Sequence, residues 1–557
     1  MIAATGSERP AHNPLHAILL CFPIALFTSA LISDIAYLRT AEMQWSNFSA
    51  WLIVGALVFG GVAGLWAIVQ LVLAWRTPQR LATLIYVVAL ALAWLCGLIN
   101  AFKHSQDAWS SVGTLGLTLS VLSTLFVLVA GHLLGATAVL LALTACSRSD
   151  PNLRQTGPNP DLPAQNQTLV PPMKIAEPVG WNGDRPAVPA GFAITPLATD
   201  LKIPRQILVL PNGDILVAEG SGGHAPKLRP KDVIAGLIKA KGKSSVKGGD
   251  RITLLRDADA DGQAELRTTF IDNLDAPYGL AFVDGALYVA EQGALLRFPY
   301  QPGQTRITAP GAVLTELPSA INHHWTKSLT SSADGQTLYV GIGSNSNVGE
   351  RGMAVEQDRA VVWAIDRQTG AHRILASGIR NPTALAIEPT TSALWAVVNE
   401  RDELGPQLAP DYLTSVRPGA FYGWPYSYWG QNVDPRAHPQ RPDKVAEAVK
   451  PDYALGSHVA ALGLSFATNG GFGGAFSQGA FIGEHGSWNR QDLSGYKVSW
   501  VPFNAGRPAG QPVDFVTGFI KDGKARGRPV GVTFDPQRRI LLIADDLSNT
   551  VWRVAPQ

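Results

Sequence analysis

The chain has 557 residues, 45 of them basic and 43 acidic, so its formal net charge is +2 and only 16% of its residues are charged. This balance gives no support for a nucleic-acid partner, and the length is more than one domain usually holds. No Cys-x-x-Cys-His, Gly-x-Gly-x-x-Gly or P-loop motif occurs, which argues against covalent haem and the common nucleotide-binding loops. All three cysteines, Cys21, Cys96 and Cys146, precede residue 147, so the rest of the chain uses no disulfide.

The first 146 residues contain four apolar runs separated by short charged connectors. Each run approaches or exceeds the ~20 residues that cross a bilayer as a helix. The first run is too long for a cleaved signal sequence and is expected to be retained. We therefore predict an α-helical membrane bundle over residues 1–146. Its four transmembrane helices are expected at Leu15–Leu38, Ala50–Trp75, Leu81–Phe102 and Gly113–Leu143.

Polar residues inside or beside these runs allow two interpretations. Asp34, Asn100 and His132 either form hydrogen bonds between helices or near the headgroups, or they take part in function, because polar groups are costly in the membrane interior. The functional alternative is a haem or quinone site that uses His16 and His132. His104 follows the third run and is expected in a solvated loop.

The first run carries His16 at its start and the pair Phe22-Pro23 inside it. This layout resembles the small four-helix membrane family DUF2231. That family often has a second histidine beside its Phe-Pro pair, where this chain has Cys21. The resemblance therefore does not carry a doubly ligated haem into this bundle.

Beyond the bundle the sequence divides into a linker and a repeat. Residues 147–191 are rich in Pro, Asn, Gln and Asp without periodic apolar residues, which predicts an extended tether. From residue 192 onward, two short apolar strands joined by a Gly, Asp or Asn turn recur six times. The repeat predicts an all-β six-bladed β-propeller over residues 192–557, with a β-sandwich as the alternative. The six hairpins lie at Ile207–Gly220, Leu280–Gly293, Leu329–Gly343, Leu385–Glu400, Leu464–Gly486 and Val532–Asp546.

One stretch within the repeat has a distinctive order of residues. An Arg-Asn-Pro segment at 380–382 precedes an apolar strand, Asn-Glu-Arg-Asp-Glu at 399–403 follows the next, and Tyr-Gly-Trp-Pro stands at 422–425. A fixed cation, an amide and an acidic cluster at strand ends can hold an anionic ligand together with a divalent cation. The order resembles the PQQ-dependent glucose and sorbosone dehydrogenases, and the resemblance covers roughly Ile203 to Val554.

The resemblance implies a base and a set of cations around PQQ. In that family one histidine accepts the proton of the substrate hydroxyl as hydride passes to PQQ; by alignment this is His324, with His323 as the alternative. Arg380 and Asn381 correspond to the pair beside the quinone oxygens, where an arginine stabilises negative charge. In an extended segment, residues two positions apart point to the same side. Two arginines at this spacing can therefore both bind PQQ carboxylates. Arg526 and Arg528 match the Arg-x-Arg of the family at this point. Two further cations depart from it: Arg490 would take the role of a lysine that the glucose enzymes have nearby, and Arg401, where those enzymes have glutamine, would add another cation close to the cofactor.

Calcium is implied at two places. The family holds its cofactor Ca²⁺ largely by backbone carbonyls, here about Asp402 and Glu403, and hard cations prefer oxygen ligands. Separately, four acidic residues around Gly262 match the first half of an EF-hand loop, although Thr268 stands where the last ligand is expected. This loop is either a structural Ca²⁺ site or an acidic β-turn. Its acidic residues are Asp257, Asp259, Asp261 and Glu265.

The membrane orientation can be argued both ways. With both termini in the cytoplasm, Arg39 and Lys103 lie outside against four arginines inside, which the positive-inside rule mildly prefers. The tetrad Leu143-Thr144-Ala145-Cys146 is either a chance sequence or a lipobox, which would place Cys146 outside. Because enzymes of the resembling family work in the periplasm, we predict a bacterial inner-membrane protein with a periplasmic propeller. The four arginines are Arg9, Arg76, Arg80 and Arg148.

These interpretations combine into one functional prediction. The chain is expected to be a membrane-tethered, PQQ- and Ca²⁺-dependent dehydrogenase that oxidises a sugar, aldose or sorbosone-like aldehyde. Its electrons are expected to pass to a quinone or a separate cytochrome. Two alternatives stay open on the same fold: a calcium-dependent lactonase, and a glycan- or protein-binding propeller without turnover. A lactonase needs carboxylates that converge on one metal, and neither alternative needs a histidine with several arginines at separate blade ends.

Overall fold

The computed structural model describes residues 14–40, 42–77, 79–104, 112–133, 152–166, 174–223, 242, 247–490 and 492–557. The chain divides into two compact units, Met1–Cys146 and Ser147–Gln557. The lipobox hypothesis for Cys146, and the charges of Arg9 and Arg148 used for orientation, lie outside the described residues.

The first unit has four long helices within its described residues, as predicted, and each is long and apolar enough to cross a membrane. Consecutive helices pack against each other, and the first packs on the fourth, which makes a closed bundle. Its core holds small residues at close contacts: a Cβ on Gly97 would lie 2.5 Å from the ring of Phe27. Large apolar side chains such as Leu65 and Leu73 point outward, as expected for surfaces in lipid. The helices are α1 (Pro14–Thr40), α2 (Met43–Ala74), α3 (Arg80–His104) and α4 (Gly113–Leu133).

The second unit is a six-bladed β-propeller, which confirms the predicted fold. The first three blades are consecutive four-stranded antiparallel meanders. Blade one has β2 (Pro204–Val209), β3 (Ile215–Glu219), β4 (Arg251–Arg256) and β5 (Leu266–Ile271). Blade two has β6 (Gly279–Val283), β7 (Ala286–Ala290), β8 (Ala294–Pro299) and β9 (Ala312–Glu316). Blade three has β10 (Lys327–Ser331), β11 (Thr337–Ile342), β12 (Val361–Asp366) and β13 (His372–Ser377).

The last three blades carry insertions and the closure of the ring. Blade four has β14 (Pro382–Ile387), β15 (Leu394–Val398), β16 (Pro410–Ser415) and β19 (Tyr453–Ser457), with β17 (Ser427–Tyr428), β18 (Asn432–Val433) and α5 (Pro442–Glu447) inserted. Blade five has β20 (Ala461–Phe466), β21 (Gly479–Glu484), β22 (Lys497–Asn504), β23 (Arg507–Pro508) and β24 (Val513–Val516). Blade six has β27 (Pro529–Asp535), β28 (Ile540–Asp545), β29 (Thr550–Pro556) and, as its outer strand, β1 (Phe192–Ala198). The hairpin of β25 (Ile520–Lys521) and β26 (Lys524–Ala525) precedes it.

The second strand is fully buried in five of the six blades, because it lies between two neighbouring blades. β3, β7, β15, β21 and β28 are buried along their whole length, so they read as continuous apolar runs. One hydrophobic cluster fills each space between blades. Between blades five and six, for example, Phe481 and Trp500 pack with Val532 and Leu541. Burial of this kind contributes roughly 25 cal/mol per Å² of apolar surface.

The direction of the strands determines which loops meet. The six inner strands, β2, β6, β10, β14, β20 and β27, form a closed ring of neighbours. Each runs antiparallel to the second strand of its blade, so Lys327 pairs with Ile342 and Pro382 with Val398. The residues before each inner strand and those after each second strand therefore lie at one end of the propeller. We call this end the entrance.

The segment predicted as a tether packs on the propeller where it is described. Gly157 bridges to Ala454, and the amide of Asn166 donates to the carbonyl of Leu404 at 2.8 Å. Farther along, the amide of Lys174 donates to the carbonyl of Trp488 at 3.1 Å. These bonds replace periodic apolar contacts, which is why composition alone pointed to an extended linker.

Candidate active site

His324 precedes the inner strand of blade three and is held in one orientation. Its Nδ1 lies 2.8 Å from the carbonyl oxygen of Ser344 and 3.0 Å from the Ser344 hydroxyl. A carbonyl only accepts hydrogen bonds, so Nδ1 carries the proton and Nε2 presents its lone pair. Burial, followed by the nearby charge of Arg380, lowers the pKa of His324 well below its usual 6.5. The imidazole is therefore a neutral base at neutral pH.

Gly343 explains how His324 and Asn381 come so close together. A Cβ on Gly343 would lie 2.6 Å from the Cβ of His324 and would also overlap Oδ1 of Asn381. Asn381 is buried, and its Oδ1 has no hydrogen-bond partner. Asn381 thus has an unpaired hydrogen-bond acceptor close to the histidine.

Arg380 is buried at the start of blade four and is held by two backbone carbonyls and one side-chain amide. Its Nε donates to the carbonyl of Asn347 at 3.2 Å, Nη2 to Oδ1 of Asn347 at 2.9 Å, and Nη1 to the carbonyl of Asn399 at 3.1 Å. The nearest carboxylate oxygen, on Asp402, is 3.9 Å from Nη2. Neutral partners fix the guanidinium but leave much of its charge uncompensated.

Asp402 connects blade four to blade five. Its Oδ1 accepts a hydrogen bond from Nδ2 of Asn489 and lies 3.7 Å from Nδ1 of His458. Its backbone carbonyl already accepts from Nδ2 of Asn347 at 3.1 Å and from Nη1 of Arg436 at 2.8 Å. The carbonyl of Asp402, expected as a calcium ligand, therefore has both lone pairs occupied. Its carboxylate, with a 22% exposed side chain, is the better oxygen donor.

Asn489 and Arg490 follow the second strand of blade five. Nη1 of Arg490 donates to the carbonyl of Ser457 at 3.1 Å, while its Nε and Oδ1 of Asn489 are buried without a partner. Burial lowers the pKa of Arg490, as expected for a cation with little compensation. The two side chains combine an unpaired donor and an unpaired acceptor at the entrance.

His485 and Asp546 form a further charged group at the entrance, next to blade six, and neither residue was predicted from the sequence. Nε2 of His485 lies 3.1 and 3.0 Å from the two carboxylate oxygens of Asp546, which also pairs with Arg205 at 2.8 Å. Burial opposes the charge of Asp546, yet His485 and Arg205 hold its pKa below the usual value. Burial lowers the pKa of His485, and Arg528 lowers it further. Arg528 thus belongs to this group.

Arg526 does not join Arg528 there. Its Nη2 donates to Oδ2 of Asp184 at 2.6 Å, and its guanidinium lies 5.5 Å from the ring centroid of Trp181. The segment lies between β26 and β27 with a bend at residue 526 and is not part of a strand, so the period-two argument for Arg526 and Arg528 does not apply.

Arg401 is a buried structural cation, which corrects its expected place beside the cofactor. Its side chain is 0% exposed, with Nε 2.8 Å from Glu400 and Nη1 3.1 Å from Asp434. The carbonyls of Pro425 and Ser427 accept from Nη1 and Nη2. Four of the five N–H donors of this fully buried side chain are therefore used by the protein itself.

Arg401→Met is therefore expected to destabilise the fold. Glu400 would keep its buried charge without a cation, which costs roughly 3–5 kcal/mol. Denaturant unfolding followed by tryptophan fluorescence measures this loss. The matched change Lys444→Met removes a pair whose partner Glu447 is 54% exposed, so under about 1 kcal/mol is expected. Unchanged stability in Arg401→Met would restore a ligand-binding role.

The acidic loop of blade one brings its four carboxylates together. One ligand oxygen from each lies within 4.8 Å of the others. Oδ1 of Asp257 is buried without a partner, and burial raises the pKa of this carboxyl. Gly262 takes φ +92° to turn the loop. The members of this group are Asp257, Asp259, Asp261 and Glu265.

The dependence of the melting temperature on Ca²⁺ tests whether this loop binds the ion. If it holds structural Ca²⁺, an ion at 100 times its Kd adds about 2.7 kcal/mol to the free energy of unfolding. We expect Asp257→Asn with Asp259→Asn to reduce the Ca²⁺-dependent rise in melting temperature, with the part due to the proposed site at Asp402 remaining, while the rate of turnover stays unchanged. An equal rise in the double variant would leave the loop as an acidic turn.

The proposed bundle residues occupy different environments. His16 is buried, and its Nε2 lies 2.7 Å from the hydroxyl of Tyr86, whereas His132 is exposed. His104, expected in a solvated loop, is instead the buried last residue of α3. The helix extends past the apolar run because His104 has polar partners inside the bundle.

Family models match both units. Residues 12–143 match a predicted membrane protein family, DUF2231. Two curated relatives are each 31% identical: an uncharacterized protein of Borreliella burgdorferi over 39% of this chain and 56% of that protein, and the aldose sugar dehydrogenase YliI of Escherichia coli over 21% and 30%. The chain thus spans about half of the length of the Borreliella burgdorferi protein and less than a third of the length of the Escherichia coli enzyme.

Two solved structures share the propeller fold at 19% identity and a TM-score of 0.53. One is the holo form of the PQQ domain of a pyranose dehydrogenase from Coprinopsis cinerea, covering 70% of this chain and 100% of that domain. The other is the calcium structure of a family AA12 carbohydrate-active enzyme from Trichoderma reesei, covering 71% and 100%. Residues 244–418 and 430–557, together more than half of the chain, match the TrAA12-like model. The chain therefore belongs to the TrAA12-like family and carries a DUF2231 membrane domain at its N-terminus.

Proposed function

We propose that the propeller is a PQQ-dependent dehydrogenase that oxidises a sugar, aldose or sorbosone-like substrate. The observation that carries the proposal is an oriented neutral imidazole, His324, beside the buried cation Arg380. A base next to a fixed positive charge suits removal of a hydroxyl proton together with stabilisation of the charge that develops. The sugar-oxidising names of the relatives support the same class of reaction.

The entrance fits a polar, anionic cofactor. Buried polar atoms without partners cost about 1–3 kcal/mol each, and those at the entrance include Oδ1 of Asn381, Oδ1 of Asn489 and Nε of Arg490. Arg380, Arg490 and Arg528 supply positive charge at three separate blade ends. A flat quinone with three carboxylates offers an acceptor for Nε of Arg490 and negative charges for the arginines, while the two amide oxygens would accept from a donor group of the ligand. PQQ, when bound, supplies the two-electron acceptor for hydride.

The geometry supports a specific role for each of these residues in the proposed reaction. His324 accepts the substrate hydroxyl proton at Nε2, and Ser344 holds the ring in the required tautomer. Arg380 and Asn381 would lie against the quinone oxygens, with the positive charge of Arg380 stabilising negative charge there. Arg490 and Arg528 would bind the carboxylates. The side-chain carboxylate of Asp402 is the proposed protein ligand for Ca²⁺, and Glu403 follows it in the same loop.

The rival lactonase has less support. It needs converging carboxylates around one central metal, and among the described residues the acidic group close enough for a metal is the loop of blade one. That loop follows the third strand of its blade, away from the entrance.

We further propose that the helices hold the enzyme in a bacterial inner membrane with a periplasmic propeller. Electrons would pass to a quinone or a separate cytochrome.

Dye reduction by the purified full-length protein tests the function. We expect activity with at least one aldose or sorbosone-like aldehyde after loading with PQQ and Ca²⁺, and none without PQQ. The same panel should include lactones, with hydrolysis followed by acid release. PQQ-independent lactone hydrolysis would favour the lactonase, and no turnover with sugar binding would favour the binding propeller.

A further inference from the structure

Every helix of the membrane bundle sends a polar side chain to one buried cluster. Asp34 of α1 is 0% exposed. Ser49 of α2 donates to its Oδ1, His104 of α3 places Nε2 2.8 Å from the same oxygen, and Ser120 of α4 donates to Oδ2 at 2.5 Å. Asn100 of α3 donates to the Ser120 hydroxyl at 2.7 Å. We call these five residues the Asp34 cluster.

The contacts of His104 determine how many protons His104 and Asp34 hold together. Its Nδ1 lies 3.0 Å from the backbone carbonyl of Asn100, an acceptor, so Nδ1 carries a proton. Its Nε2 faces the Asp34 carboxylate, so a second proton lies between these two side chains, on nitrogen or on oxygen. In both arrangements the pair is neutral overall, which avoids the cost of a net charge in the bundle. The shared proton can therefore change sides without changing the net charge.

We propose that the Asp34 cluster is a proton-binding site that exchanges its proton with the aqueous phase at the His104 end of α3. Hydroxyls of Ser49 and Ser120 can each donate or accept, as a relay requires. Oδ1 of Asn100 is fully buried without a partner, and it would accept a bond from an entering water. Helix–helix packing alone would not need this unpaired acceptor.

The position of the cluster gives a short exchange path. His104 ends α3, and Asp34 lies six residues before Thr40, the last residue of α1. At 1.5 Å per residue, this is about 9 Å from the end of that helix. Asp34 and His104 are the titratable groups of the hydrogen-bonded cluster, while α2 and α4 contribute hydroxyls. Three donors already occupy the carboxylate, which leaves too few oxygens for a metal cation.

Infrared difference spectroscopy of the full-length protein in lipid nanodiscs tests the proposal without turnover, so it is independent of the dehydrogenase assignment. Changing the pH should produce a carboxyl band that shifts in D₂O. Asp34→Asn should abolish this band, and His104→Gln should displace its titration midpoint by about 1–3 pH units. Thr124→Val is the control, because Thr124 is buried on α4 but donates to the carbonyl of Phe27 outside the cluster.

The outcomes separate exchange from a fixed ion pair. A wild-type spectrum with no Asp34-dependent band over the accessible pH range would overturn the proposal and leave the cluster as packing between helices. If Asp34→Asn fails to fold, Ser120→Ala decides, since it removes one donor to the carboxylate. An unchanged midpoint in Ser120→Ala would overturn the proposal, and a displaced midpoint would support it.

Discussion

His324→Ala is expected to slow substrate oxidation roughly 10²–10⁴-fold, the contribution of a positioned general base, while PQQ stays bound. Stopped-flow reduction of bound PQQ by a reactive sugar isolates this step from re-oxidation by the acceptor. The base must be neutral to accept a proton, and burial lowers the pKa of His324. The wild-type rate should therefore stay constant as the pH is lowered past 6.5, and it should fall only at a lower pH, where His324 becomes protonated.

His323→Ala is the matched control for this result. The two imidazoles meet edge to face with centroids 4.7 Å apart, but Ser344 orients the ring of His324. We expect a far smaller change in the His323 variant. If that variant were the slower one, the alignment would be wrong by one residue. If neither histidine affected the rate, the dehydrogenase proposal would fail.

Arg528→Leu and Arg526→Leu should differ strongly in their affinity for PQQ, although the residues are two apart. Loss of a charge-assisted hydrogen bond costs about 1.5–3 kcal/mol, so Arg528→Leu should weaken binding by about 10- to 150-fold. Arg526 instead pairs with Asp184 at 2.6 Å, a partner whose side chain is 53% exposed, so its replacement should change the affinity for PQQ by less than about twofold. Titration of the apoprotein with PQQ measures both.

Equal losses in the two variants would show that both guanidiniums reach the cofactor, as the extended-segment argument predicted. Unchanged affinity in both would remove blade six from the carboxylate site. A melting curve for each variant separates loss of binding from loss of fold, since Arg528 also donates to the carbonyl of Gly242.

The propeller could be predicted because its evidence is local. Each blade repeats a short apolar strand, a polar turn and a second strand, and the second strand is apolar on both faces since another blade covers each side. The four membrane helices have the same kind of evidence in their length and hydropathy. The repeat also predicts where the inner strands begin. His324 and Arg380 precede inner strands, so their position at the entrance could be predicted.

The direction of a charged side chain at a strand end was not predictable, because its partner lies far away in the sequence. Arg401 meets Asp434 33 residues later, and Arg526 meets Asp184 342 residues earlier. His104 looked like a loop residue because Asp34 is 70 residues away. His485 and Asp546 give no local signal either, since only the closed ring brings them together.

The last blade joins the two ends of the propeller, since β1 pairs with β29 and Ile194 aligns with Val554. The ring therefore cannot close until the final strand has been synthesised. Joining strands so far apart costs on the order of 5 kcal/mol in loop-closure entropy, and such non-local pairing is slow. Until then, the first strand has an unpaired edge that could pair with another nascent chain. Deletion of β29 should therefore make the protein aggregate during biogenesis instead of merely lowering its activity.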